Sequence, residues 1–243
     1  MNNLSLEGNV AIVTGAGRGI GRSIALTLAR SGVGVSLAAR TESELEVVRE
    51  EIEDLGGQAA GFPTDVTRES DVISLVGDTI ERFGRMDILV NNAAIGVFGP
   101  LLEATTEEWD QIMAVNARGP FMLCREAIPY LKQQQRSFVI NISSVVGVKG
   151  YPNQAAYSAS KHALMGMTKA LAKELHKDGI RVHAVCPGGV DTQLIRQARP
   201  DLDPSIVMQP QEIADIVLFL LTRQGNAMID EIHVRRAAST PWA

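Results

Sequence analysis

The chain of 243 residues is long enough to bury a substantial core, and its composition, 45% hydrophobic and 21% charged, is that of a globular protein. A net charge of −5 gives no electrostatic reason to expect nucleic acid or an anionic membrane as a partner. No run approaches the roughly 18 uninterrupted apolar residues of a membrane span, and Met1-Asn2-Asn3-Leu4-Ser5 has neither the basic region nor the apolar core of a signal peptide. Cys124 and Cys186 lie far apart without metal-type spacing, which fits a reducing compartment, so a cytoplasmic location is expected.

In chain order, short β-branched runs alternate with longer helical stretches. Strands are predicted over 10–14, 33–39, 59–63, 87–91, 138–142, 181–185 and 228–234, with helices near 20–31, 43–55, 69–83, 106–132, 156–178 and 210–222. Several strands are continuous apolar runs, as parallel strands covered on both faces require. This alternation predicts an α/β chain, a single doubly wound domain of Rossmann type over 1–243 with a seven-stranded parallel sheet. Between Pro187 and Gln211, three further prolines and weak helical patterning predict a long irregular loop. Such loops are more often functional than idle, and a substrate loop is expected at about 189–211.

Ligands of such sheets bind beyond the carboxyl ends of the strands. The first strand runs into Thr14-Gly15-Ala16-Gly17-Arg18-Gly19-Ile20-Gly21, and a helix follows. The glycines permit a tight turn and close backbone approach, and the helix start offers N–H groups to phosphate. The spacing is TGxxxGxG, neither the common GxGxxG nor a P-loop. A ribose 2′-hydroxyl calls for an acid at the end of the second strand, and a 2′-phosphate for arginine. Here the segment reads Ala38-Ala39-Arg40-Thr41, with Arg18 in the glycine turn as a second cation, which favours NADP(H). Glu42 and Glu44 read either as acids approaching the ribose or, the favoured reading, as the acidic start of the next helix.

Tyr157-Ser158-Ala159-Ser160-Lys161 puts a phenol and an amine on one helical face. A free phenol, with pKa ~10, holds its proton too tightly for easy exchange, and a nearby ammonium favours the phenolate. Alone the pair also fits a surface contact. A buried strand ending in Ser143-Ser144, with Ser144 placed 13 residues before Tyr157, changes that balance.

Together these segments resemble the short-chain dehydrogenases/reductases, in order along nearly the whole chain. The resemblance implies NADPH-dependent interconversion of a ketone or aldehyde and an alcohol. It implies a catalytic group of Asn116, Ser144, Tyr157 and Lys161. Ser144 would hold the substrate oxygen and Tyr157 deliver the proton. Lys161 would bind the nicotinamide ribose and lower the phenol pKa, and Asn116 would link Lys161 to solvent through water. For the cofactor it implies Gly15, Arg18, Gly19, Ile20, Gly21 and Arg40, with Asp65-Val66 against adenine. Asn92-Ala93, from a segment similar to the family's NNAG, joins them. Here Ala94 stands where the family usually has glycine. Tyr157, Lys161, and Pro187, Gly188, Val190 and Thr192 of a PGxxxT-like segment complete the set.

An apolar pocket wall is expected from Val97, Phe98, Val145, Val146, Val148 and Tyr151. Arg196 and Arg199 read either as contacts for an acidic substrate or as a solvated face. Cys186 is expected to be packing and His183 structural, with no metal site. Acyl-carrier-protein reductases share these motifs but usually show stronger basic patches than Lys132–Arg136 and 176–178 offer. The last strand, without the family's usual Val-Thr-Gly and Asp-Gly-Gly, looks closer to members acting on small hydroxy and keto compounds. A small-molecule carbonyl reductase is therefore expected first and a 3-oxoacyl-thioester reductase second. A dinucleotide-sensing regulator and a sugar-nucleotide epimerase fit less well. Surplus apolar residues in 106–132 and 156–178 (Phe121, Met122, Leu164, Met165, Met167) predict a homodimer or homotetramer. The tail 237–243 is read as either reaching a neighbouring subunit or disordered.

Overall fold

A computed structural model describes residues 4–241. Among them are the strands β1 (Val10–Thr14), β2 (Gly34–Ala39), β3 (Ala59–Pro63), β4 (Ile88–Asn91), β5 (Ser137–Ile142), β6 (Ile180–Pro187) and β7 (Glu231–Val234). The helices are α1 (Gly19–Arg30), α2 (Glu42–Asp54), α3 (Glu69–Phe83), α4 (Thr106–Met113), α5 (Gly119–Leu131), α6 (Ala155–Glu174), α7 (Gln193–Ala198) and α8 (Pro210–Thr222). All seven strands are parallel, in the order β3-β2-β1-β4-β5-β6-β7.

Strand alternation decides how the sheet is covered. In β1, Ala11 and Val13 face a core shared with α1, α2 and α8, while Ile12 faces a second core built with α3 and α5. In β5, Phe138, Ile140 and Ile142 take the first face and Val139 the second. Both faces are therefore dry, which is why these strands read as unbroken apolar runs.

The stretch expected as one helix over 106–132 is three pieces. α4 gives way to a wider π turn at Ala114–Arg118 before α5 begins. Pro120 has no N–H to give the Asn116 carbonyl four residues back, so the α-helical ladder cannot run through. The interval 187–211 is less irregular than expected. It holds α7 and a short turn at Pro204–Ile206, and it is pinned by a Val190–Met208 bridge. The seventh strand begins at Glu231 rather than 228, after Gly225 in the left-handed region. Met122, Leu164 and Met165 are buried within the chain's own core, and Met167 packs against it. They are no surplus, because α6 lies between β6, α4 and the turn after Ser144 and so has more than one covered face. Phe121, by contrast, is exposed.

Phe138→Ala, which empties a fully buried site on β5, is expected to cost about 3–5 kcal/mol. Leu102→Ala, at a fully exposed residue, should change stability by less than about 0.5 kcal/mol. Urea denaturation of both variants measures the contrast, and equal midpoints would contradict the placement of β5 at the core.

Candidate active site

The carboxyl ends of the strands open into a cleft of about 2060 Å³. The chain passes from β1 out to β3 and returns beside β1 as β4, so the strand order reverses there. Thr14 holds that point together. Its hydroxyl donates to the Val90 carbonyl at 3.2 Å and accepts from the N–H groups of Asn92 (3.0 Å) and Ala93 (3.1 Å). The Asn92 amide donates back to the Thr14 carbonyl at 2.9 Å.

The glycine turn follows directly. Gly15 takes φ +64°, a region that favours glycine, and a Cβ at Gly21 would lie 2.2 Å from the Gly15 carbonyl oxygen and 2.5 Å from Asn92 Nδ2. No larger residue fits there. The result is a bare backbone cradle before α1, with Gly15, Gly19 and Ile20 on the cleft wall and Gly21 behind it. Arg18 and Arg40 stand at its outer end. Arg18 Nη1 donates to Glu44 Oε1 at 3.0 Å, so Glu44, besides starting α2, is a cleft residue. Asp65 and Val66 line the same end. Burial pushes the Asp65 carboxyl up, but hydrogen bonds from the Thr67 N–H and hydroxyl, with Arg68 and Arg40 nearby, hold it below its ordinary value.

At the other end lie Ser144, Tyr157 and Lys161. Ser144 Oγ donates to the Pro187 carbonyl (3.3 Å) and accepts from Val146 N–H (3.3 Å), and it lies near enough to Tyr157 to act on the phenol's ionisation. The neighbouring Ser143 hydroxyl is buried without a partner among the described residues and does not line up with the phenol in the same way. Lys161 is 1% exposed, and its Nζ donates to the Ile142 carbonyl at 3.0 Å and lies 5.9 Å from the Tyr157 ring centroid. Burial pushes the Tyr157 phenol up to about 12, with the Ser144 hydrogen bond pulling the other way. Burial also pushes Lys161 down to about 8, while Cys186 nearby acts in the opposite sense. In the protein alone the phenol thus moves away from ionisation, because desolvation outweighs the pull of Ser144.

Asn116 does not line the cleft. Its side chain clamps Ile95, accepting from N–H at 2.9 Å and donating to C=O at 2.8 Å, and also donates to Ser160 Oγ at 3.0 Å. Ser160, which the sequence gave no reason to single out, in turn donates to the Tyr157 carbonyl. Asn92, Ala93, Pro187, Gly188, Val190 and Thr192 all line the cleft. So do Val97, Phe98, Val145, Val146 and Tyr151, but Val148 packs inward against Met165 and Cys186. The Phe98 ring meets Tyr157 edge-on at 5.6 Å, and Leu194 of α7 comes to the same spot over Gly96. Arg196 and Arg199 are exposed and paired with Asp191 (2.9 Å) and Asp201 (2.8 Å). Burial raises both thiols, Cys124 to about 12 and Cys186 to about 11, as packing cysteines require. His183 is buried against Ile229 and pushed down. The tail folds back over its own cleft, with Ala238–Pro241 on the wall, while Trp242 and Ala243 lie outside the described residues.

The two buried shifts give a stability profile. Lys161 binds fewer protons folded than unfolded between pH about 8 and its ordinary value of 10.5, so stability falls as pH drops through about 8. Tyr157 acts oppositely, and its contribution is lost as pH rises through about 12. Lys161→Met should therefore gain stability relative to the parent as pH is lowered from 10 to 7. Urea denaturation at both pH values reads this, and a pH-independent difference would contradict a desolvated amine.

A family model described as short chain dehydrogenase matches residues 9–203. A 3-oxoacyl-[acyl-carrier-protein] reductase of Thermotoga maritima is 34% identical over 94% of this chain and 96% of its own. A metagenomic short-chain oxidoreductase solved in complex with NADP superposes with a TM-score of 0.84 at 37% identity, covering 96% of this chain and 99% of that one. An alcohol dehydrogenase from Thermococcus sibiricus, complexed with 5-hydroxy-NADP, gives 0.89 at 29% identity over 97% and 99%. With the glycine cradle, the seven-stranded parallel sheet and the buried serine, tyrosine and lysine at its carboxyl end, this chain belongs to the short-chain dehydrogenase family of oxidoreductases.

Proposed function

We propose that the protein is an NADPH-dependent reductase of small ketones or aldehydes, with Tyr157 as general acid. The observation that carries this is the gathering of Ser144, Tyr157 and the buried Lys161 on one cleft wall, in the same cleft as the glycine cradle. The cradle fits a dinucleotide: a Cβ at Gly21 would fill the space the turn leaves. Gly15, Gly19, Gly21 and Ile20 would hold the phosphates, and Asp65, Val66, Asn92 and Ala93 the adenosine half. Pro187, Gly188, Val190 and Thr192 would meet the nicotinamide half. When bound, the cofactor supplies a hydride to the carbonyl carbon.

The protein's own residues handle the oxygen and its proton. Ser144 donates a hydrogen bond to the carbonyl oxygen, which strengthens as charge builds there. Tyr157 transfers its proton to that oxygen. The Lys161 ammonium stabilises the phenolate left behind and binds the nicotinamide ribose. Asn116 commits its side chain to Ile95 and Ser160, so any service to Lys161 through water would run by its backbone carbonyl. Arg40 and Arg18 receive the 2′-phosphate, and Glu44 must release Arg18 for this. The segment 189–211, with α7, forms the substrate loop. Phe121 of α5 supports a dimer or tetramer face.

The second reading, reduction of a 3-oxoacyl thioester on an acidic carrier, is favoured by relatives such as the Thermotoga maritima reductase. Against it, Lys132 is paired with Asp178 at 2.9 Å. The Arg136 guanidinium is committed to the Arg223 carbonyl and the Phe138 ring. Lys173 and Lys177 alone stay exposed without an ion pair among the described residues at those helix ends, a thin basic surface for a carrier.

NADPH oxidation over a panel of ketones, diketones and 3-oxoacyl thioesters tests the reading. Tyr157→Phe should lower kcat by about 10²–10⁴-fold. Tight NADPH binding without turnover of any member would instead indicate a sensor. In a separate titration by NADPH fluorescence, Arg40→Ala should weaken NADPH about tenfold or more with NADH little changed, and Glu44→Gln should tighten NADPH. Equal losses for both cofactors would contradict the assignment of the 2′-phosphate to this corner.

A further inference from the structure

The cations around the cleft are not equally available. Arg18, Arg196 and Arg199 each hold a carboxylate, on Glu44, Asp191 and Asp201. Arg235 is turned onto the carbonyls of its own tail, the nearest being Ser239 at 2.7 Å. Arg236 differs. It is half-buried on the cleft wall, and among the described residues its guanidinium has neither an ion pair nor a hydrogen bond.

Its position follows from β7. Ile232 and Val234 pack inward against the α1–α8 core, and the alternation carries Arg236 to the same side just past the strand end. There its stem lies over Gly189, where a Cβ would come 3.3 Å from Arg236 Cδ and 3.5 Å from Nε. Gly189 is not in the left-handed region. Its lack of a side chain therefore serves space for the arginine rather than the turn. Gly189 is two residues from Pro187, whose carbonyl receives the Ser144 hydroxyl.

Sheet geometry separates this cation from the 2′-phosphate corner. Arg40 follows β2, and β2 lies five strand intervals from β7, about 24 Å at ~4.8 Å per interval. Ser144 follows β5, only two intervals or about 10 Å away. Of the two ends of the cleft, Arg236 therefore belongs with Ser144 and Tyr157 rather than with Arg40.

We infer that Arg236 anchors a carboxylate, so that the substrate class is small oxo acids rather than neutral ketones. This rests on the carbonyl-reductase reading and narrows it. Lys149 and Asp110 also line the cleft without an ion pair among the described residues, so Lys149 is the competing cation. A carboxylate bound by a guanidinium at two nitrogens outcompetes water better than one met by a flexible ammonium.

The test compares pyruvate, acetoacetate and levulinate with their methyl esters, using NADPH and the full chain. Acids should exceed esters by about 10–100-fold in kcat/KM, mainly through KM. Arg236→Gln should collapse that ratio toward one, Arg236→Lys should restore part of it, and NADPH affinity should hold. No acid preference in the parent protein would overturn the inference. So would a loss of NADPH affinity in Arg236→Gln, or collapse of the ratio in Lys149→Gln instead. Turnover of neither acid nor ester would end the reductase reading. In that case, titration of the Tyr157→Phe–NADPH complex still decides the narrower point. Acid-selective binding lost in Arg236→Gln upholds the anchor, and equal binding of acid and ester removes it.

Discussion

The Thr14 hydroxyl is where the site begins. A hydroxyl has one proton and two acceptor sites, and here all three are used, on Val90, Asn92 and Ala93. Those bonds fasten β1 to β4 at the point where the strand order reverses, the one place in such a sheet where neighbouring connections leave in opposite directions. The glycine turn springs from one side of this joint and the Asn92-Ala93 segment from the other. Their separation is set by backbone contacts too close for a side chain, as at Gly21. A cofactor cradle made this way needs no charged side chain to hold its shape. Charge is placed only at its ends.

At the substrate end the protein spends stability on desolvation. Lys161 is a buried amine with a carbonyl partner and no carboxylate partner among the described residues, and Tyr157 is a buried phenol whose proton is held more firmly than in water. Both are the shifts that low-dielectric surroundings impose, and both run against the charged forms. A buried amine without an acid beside it is a cost to the fold, and the proposed proton chemistry gives that cost a reason.

Much of this was legible in the residues. The strands are apolar runs because both faces are covered, so their order along the chain could be read without knowing any contact. The glycine spacing and the four-residue step from Tyr157 to Lys161 are local patterns, and local patterns survive in a linear text. What escaped depended on contacts distant in sequence or on small geometric choices. The 106–132 stretch kept its helical periodicity through the π turn, and only Gly119-Pro120 marked the break. Met122, Leu164 and Met165 looked like surplus apolar surface because covering from more than one side cannot be seen from a single helix. Glu44 read as a helix start, and its reach to Arg18 exists only once two separate turns meet. Arg236 has its setting only in the fold, where its stem lies over Gly189 from a distant loop.

The two shifts at the substrate end also order the proposed proton steps. With the phenol near 12 and the amine near 8, a proton on Lys161 is the more acidic of the two. Once Tyr157 has given its proton to the nascent alkoxide, the equilibrium therefore favours refilling the phenolate from the lysine side. The reverse transfer is uphill. A neutral Lys161 then needs a proton from solvent, yet the residue is almost completely buried and its Nζ faces the Ile142 carbonyl. The π turn at Ala114–Arg118 sits beside this amine: Asn116 ties Ile95 to Ser160, and Ser160 in turn holds the Tyr157 carbonyl, so the helix that carries the phenol and the lysine is fastened to the segment after β4.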